Sequence, residues 1–188
     1  MVGIPALWLP ILLAAVLVFI ASSIIHMFLP YHKTDWKKVP DEDVVMDAMR
    51  AFDIPPGDYV IPQAGSMEVM NSDEFKAKAE KGPVWFMTVL PPGNPFGMGT
   101  QMAQWFGFCI LVGVLAAYIA GRALSPGAPY PSVFRFAGCT AFIAYGIAHL
   151  QRSIWYKQAW STTGKNLFDA LVYGLLTAGA FGWLWPDM

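Results

Sequence analysis

Residues 5–29 contain no Asp, Glu, Lys or Arg, and the run is longer than the roughly 20 apolar residues that carry a helix across the hydrocarbon core of a bilayer. No water is available there to bond an open backbone, so such a run has to close its own hydrogen bonds as a helix. The run starts a few residues into the chain, but no Lys or Arg precedes it and it is longer than the apolar part of a secretion signal, so it is expected to stay attached as a span. Ala15, Val18, Phe19, Ser22, Ser23 and His26 recur at three- and four-residue spacing, which places them on one stripe. The polar end of that stripe is expected to face protein, with Ser22 bonded back to a carbonyl one turn earlier and His26 bonded to a neighbouring helix. Pro5 suits a first helical turn, and Pro10 is expected to bend the helix.

Composition extends this reading to the whole chain. With 56% hydrophobic and 13% charged residues among 188, it is too apolar for an ordinary water-soluble domain. A net charge of -1 argues against a nucleic-acid partner, which needs a concentrated basic surface. Cys109 and Cys139 lie in separate apolar runs without C-x-x-C spacing, so neither a disulfide nor a zinc site is expected from them.

Three further runs, 102–121, 133–151 and 167–185, qualify as spans, with Arg135 and Asp169 just inside the third and fourth. The predicted fold is an all-α membrane bundle of four transmembrane helices, with a small α+β cap outside the membrane between helices 1 and 2. Lysines and arginines concentrate in segment 31–99 and connection 152–166, which the positive-inside rule places in the cytoplasm. Small residues recur at close-packing spacing: Gly113, Ala117 and Gly121; Ala137 and Ala141; Ala144 and Ala148; Ala178 and Gly182. They suit a compact bundle or a contact between copies of the chain. Trp105, Trp155, Tyr156, Trp160, Trp183 and Trp185 fall near span ends, where amphipathic rings form an interfacial belt.

Segment 31–99 reads as the cap. Acids at Asp41, Glu42 and Asp43, followed by Val44, Val45, Ala48, Met49 and Phe52, predict an amphipathic helix. After the Pro55-Pro56-Gly57-Asp58 turn, Tyr59-Val60-Ile61 predicts a strand. Asn71 with Glu74 three residues later opens a second helix, with Phe75 and Ala79 on its buried side, ended by Gly82-Pro83. Residues 84–90 form the second strand, and the long crossover predicts a parallel pair resting against the membrane or the helix ends. Pro91 to Gly99 links the cap back to the bilayer. Residues 125–131 are a tight connector, and 152–166, with Ile154, Trp155, Tyr156 and Trp160 among basic residues, is expected to lie flat on the headgroups.

The four-span topology brings His26, Gln101, Gln104, His149, Gln151 and Asp169 to one membrane face. Candidate ligand residues there are His26, Gln104, His149, Arg152 and Asp169. Three chemistries suit them: a haem between His26 and His149, a metal on His26, His149 and Asp169, or a quinone or lipid headgroup against His149, Arg152 and Asp169 with Trp155 and Tyr156. His32 reads as an exposed junction residue. No G-x-S-x-G elbow, P-loop or glycine fingerprint is present, and Ser22, Ser23 and His26 lack an orienting carboxylate in their span.

Ser22-Ser23-Ile24-Ile25-His26-Met27, Tyr31-His32-Lys33-Thr34-Asp35-Trp36, Pro40-Asp41-Glu42-Asp43 and Ser153-Ile154-Trp155 together resemble a family of small four-span bacterial membrane proteins. The resemblance implies four spans with a cap and supplies no activity, catalytic residue or cofactor. The expectation is a multi-pass protein of a bacterial cytoplasmic membrane, acting as a non-catalytic accessory or interaction protein toward a membrane partner or its own copies. The alternative is a membrane redox or ligand-binding protein with its site near His26, His149 and Asp169.

Overall fold

The computed structural model describes residues 1–93 and 97–187, and the chain divides into two units, Met1–Trp36 with Met98–Met188, and Lys37–Gly97. In the first unit a 3-10 turn, Ile4–Leu7, leads into α1 (Trp8–Met27). A second 3-10 turn, Pro30–Thr34, follows. After the other unit come α5 (Met98–Ala123), α6 (Tyr130–Phe142), a π-helical turn (Ile143–Ile147), α7 (His149–Tyr156) and α8 (Trp160–Trp183). Three helical stretches are long and apolar enough to cross a membrane: Ile4–Met27, Met98–Ala123 and Tyr130–Tyr156.

The helix α8, at 24 residues, matches the shortest of these in length but falls outside the group, and its first half carries Lys165, Asn166 and Asp169. Those polar residues are tolerated because α8 turns its face to protein. It packs against α1 and α6, burying Thr163, Asp169, Tyr173, Thr177 and Phe181. With α1 also on α5, and α5 on α6, the four long helices close a ring.

Lipid tails are as apolar as Leu, so helices in a membrane associate through close packing and hydrogen bonds rather than water exclusion. The small residues meet that need inside the chain. Gly138 and Gly174 bring the α6 and α8 backbones together, and a Cβ on Gly138 would lie 2.8 Å from the Ala178 Cβ. Ala117, Ala137, Ala141 and Ala178 are fully covered, whereas Ala148 is exposed. Between α1 and α5, Ser22 Oγ donates to Phe19 O at 2.9 Å, as its position predicts, and accepts from Trp105 Nε1 at 2.8 Å. Trp105 is therefore turned into the bundle rather than placed in a belt. Trp185 is also buried and donates to Ser125 O, while Trp155, Trp160 and Trp183 are exposed.

Pro10 lies one turn after the point where the 3-10 turn passes into α1, at Leu7 (φ -104°, ψ 16°), within the continuous helical stretch Ile4–Met27. Connection 152–166 is helical at both ends: α7 runs to Tyr156, α8 begins at Trp160, and only residues 157–159 link them. Lys157 takes a left-handed conformation (φ 57°), and its N–H bonds Arg152 O, which caps α7 sharply enough for so short a link.

The second unit contains α2 (Glu42–Arg50), β1 (Gly57–Ile61), α3 (Met67–Asn71), α4 (Asp73–Lys81) and β2 (Trp85–Val89). Both amphipathic helices form as their acids and apolar spacing predict, with Val45, Met49, Phe75 and Ala79 half-buried. Ser72, rather than Asn71, caps α4, accepting from Phe75 N at 3.2 Å. The strands pair antiparallel, with Tyr59 opposite Met87, and not parallel. The connection is two helices broken at Ser72 (ψ 149°), not one crossover helix, so the chain can return to the end of β1 that it left.

Candidate functional site

α1 ends at Met27, Leu29 is extended, and Pro30 opens the following 3-10 turn. This change of direction folds Tyr31, His32 and Asp35 back over α1's last turn and against α8. Residues 31–36 thus belong with the bundle and not with the cap, as their sequence position had suggested. His32 is the largest departure from expectation. Its side chain is 11% exposed, and each ring nitrogen lies against a carboxylate: Nδ1 is 2.6 Å from Asp35 Oδ2 and Nε2 is 2.9 Å from Asp169 Oδ2.

Asp169 is the centre of the arrangement. It is buried on α8, accepts a hydrogen bond from the Tyr31 hydroxyl on Oδ1, and presents Oδ2 to both His32 and His26. His26 Nε2 stands 3.8 Å from that oxygen, beyond hydrogen-bond reach, and its side chain is half exposed. The His26 and His32 rings lie together, centroids 4.4 Å apart. Asp35 is held in turn by Lys165 Nζ at 2.6 Å and by the Thr162 hydroxyl at 3.4 Å, and Lys165 also donates to Thr34 Oγ1 at 2.9 Å. The chain of contacts runs from an accessible imidazole through a buried carboxylate, a second imidazole and a second carboxylate to an ammonium.

Ionised carboxylates only accept, so a ring between two of them donates from both nitrogens, unless a proton sits on a carboxylate or a metal replaces one ring proton. Burial alone would raise the Asp35 pKa, but hydrogen bonds from Lys165 and His32 outweigh it and hold the carboxyl below the ordinary value. Burial and the bond to Asp169 push the Tyr31 phenol upward, so it stays a hydrogen-bond donor.

Of the residues singled out in the sequence, the fold brings His26 and Asp169 face to face. His149 accepts from Asn166 Nδ2 at 3.3 Å, three residues before Asp169 on α8, and is a neighbour of the cluster rather than the partner of His26. Arg152 is exposed one turn beyond His149, and Gln104 is exposed while the adjacent Trp105 points inward. Successive helical residues point about 100° apart, which is enough to separate those two. The residues missed were Tyr31, His32, Asp35, Thr162 and Lys165. The one local signal was the His32-x-x-Asp35 spacing, which suits a pair within a single turn.

Comparison of the chain with protein-family models, with curated proteins and with solved structures finds no match. Three of its helices have the length and apolarity of membrane spans.

Proposed function

We propose that this is a four-span protein of a bacterial cytoplasmic membrane that binds a small ligand at the bundle end formed by His26, His32 and Asp169. One observation carries the reading: a buried carboxylate whose partners are two imidazoles and a phenol, one imidazole being open to the outside. Burying a carboxylate is expensive unless a counter-charge meets it, and a lone structural tie would not call for a second, unbonded imidazole. The fourth span is supported by α8's length, about 36 Å at 1.5 Å per residue, against a hydrocarbon core of about 30 Å. A cytoplasmic position for the site is supported by the basic residues Lys33, Arg152, Lys157 and Lys165 near it in sequence, through the positive-inside rule.

The non-catalytic accessory role is a second reading. Val44, Phe52 and Met67 are strongly exposed in the unit at Lys37–Gly97 and offer apolar surface to a partner. The ligand reading is tested by native mass spectrometry of full-length protein released gently from the membrane. Wild type is expected to retain an added mass that Asp169→Asn, in the same detergent, has lost. Identical mass profiles for the two proteins would overturn it.

A further inference from the structure

We propose that His26, His32 and Asp169 bind one divalent transition-metal ion of the zinc class, through two imidazole nitrogens and one carboxylate oxygen, with a fourth position open. This deepens the ligand-site reading above and rests on it.

The geometry is close to what such an ion requires. One ligating atom from each of the three residues lies within 4.8 Å of the others. Ligand atoms about 2.0–2.2 Å from a tetrahedral ion stand about 3.3 Å from each other. The His32–Asp169 gap of 2.9 Å would open by a few tenths of an ångström, and the His26–Asp169 gap of 3.8 Å would close by about as much. The two imidazole nitrogens, which stand within 4.8 Å of each other, would draw together as well, and side-chain rotation supplies movements of this size. His26 is the informative member: its Nε2 faces the Asp169 oxygen at 3.8 Å without bonding it, a separation that an ion held between the two would bridge.

The outer contacts point the same way. Metal-ligating histidines commonly give their other nitrogen to a carboxylate, which fixes the ring and raises its basicity. His32 does this with Asp35 Oδ2, and Asp35 is itself anchored by Lys165 and Thr162. Tyr31 occupies Asp169 Oδ1, leaving Oδ2 toward the imidazoles.

Charge supplies a separate reason. Lys165 neutralises Asp35, whereas the ion-pair partners of Asp169 among the described residues are the two histidines alone. A bound cation meets the second carboxylate and leaves both imidazoles neutral, the form that ligates. Two nitrogens with one oxygen suit zinc, cobalt or iron(II) and not calcium or magnesium, which take oxygen ligands. The exposed side of His26 gives the ion a way in and leaves room for water in the fourth position.

The test uses full-length protein in detergent, stripped with a chelator and titrated with Co2+. Wild type is expected to bind one ion per chain, with visible ligand-field bands that Zn2+ abolishes. His26→Ala removes a half-exposed side chain with little risk to folding, and should weaken Co2+ binding by about 100-fold or more. Asp35→Asn, outside the ligand set, should weaken it by about 10- to 100-fold through the orientation of His32. Wild type without cobalt bands, or equal affinity in wild type and His26→Ala, would overturn the metal site. If the added mass lost in Asp169→Asn also survives chelation in wild type, the metal fails while the ligand-site reading stands. If wild type shows neither cobalt bands nor an added mass, both fail.

Discussion

The two ends of the helical bundle are fastened by different chemistry. At one end the ties are made mainly by backbone: Val2 N donates to Gly121 O and Gly127 N to Pro186 O, both at 2.8 Å, and Trp185 Nε1 donates to Ser125 O at 3.0 Å. At the other end they run side chain to side chain through Asp169, His32, Asp35 and Lys165. Backbone ties require only that two segments approach, and they are indifferent to protons. Ties between covered charges carry a desolvation cost and respond to pH and to ions. The first end shows that this fold can close without titratable groups, so closure alone does not account for the cluster at the second.

The contrast can be broken most directly at Asp169. Replacing it with Ala leaves Tyr31 and two imidazoles facing a space without a carboxylate, and stability should fall by about 3 kcal/mol, the scale of a broken buried pair. The unfolding midpoint in a denaturing-detergent titration measures this. A fall below about 1 kcal/mol, typical of exposed pairs, would mean that the polar end contributes little to the fold.

A smaller effect is expected at the backbone end. Any Cβ on Gly121 would clash with Val2 O, a backbone atom that cannot swing aside as a side chain does. Gly121→Val should cost about 2 kcal/mol by overpacking. The same melting experiment at about pH 5 and about pH 8, either side of the ordinary imidazole value, should give the same loss for this variant. A strongly pH-dependent loss would remove the distinction between the two ends.

The smallest expected effect concerns Asp35 in chelator-treated protein. Its folded-state pKa lies below the ordinary carboxylate value, so its share of stability is complete above that value and is lost as pH falls through the depressed one. The melting-temperature advantage of wild type over Asp35→Asn should be level from neutral pH down to about 5, and should shrink below about 4. An advantage that grows as the pH falls would reverse the assigned sign.

Much of the chain's local structure was readable before any helix was docked. The charge-free run 5–29 marks the first span, the acids at 41–43 open α2, and Gly82-Pro83 closes α4. These signals act within a turn or two of backbone, through hydrogen-bond closure, capping and the period of apolar residues. Even Asp169 and His26 stood out, because polar groups in apolar runs are costly and need partners. Other features escaped that range. His32 meets Asp169 across 137 positions, and its neighbours in sequence gave it the look of an exposed junction.

The amino-acid sequence by itself determined that the chain holds helices long and apolar enough to cross a bilayer, where they begin, and which residue types are available at one end of them. Only the tertiary structure decided that His32 and not His149 joins His26 at the carboxylate, that Trp105 and not Gln104 faces inward, and that the two strands run antiparallel. The physical reason is range. Propensity and periodicity are set by neighbours along the chain, whereas the rotation of α1 against α5 and α8, and the path of a connection broken at Ser72, follow from packing between distant segments.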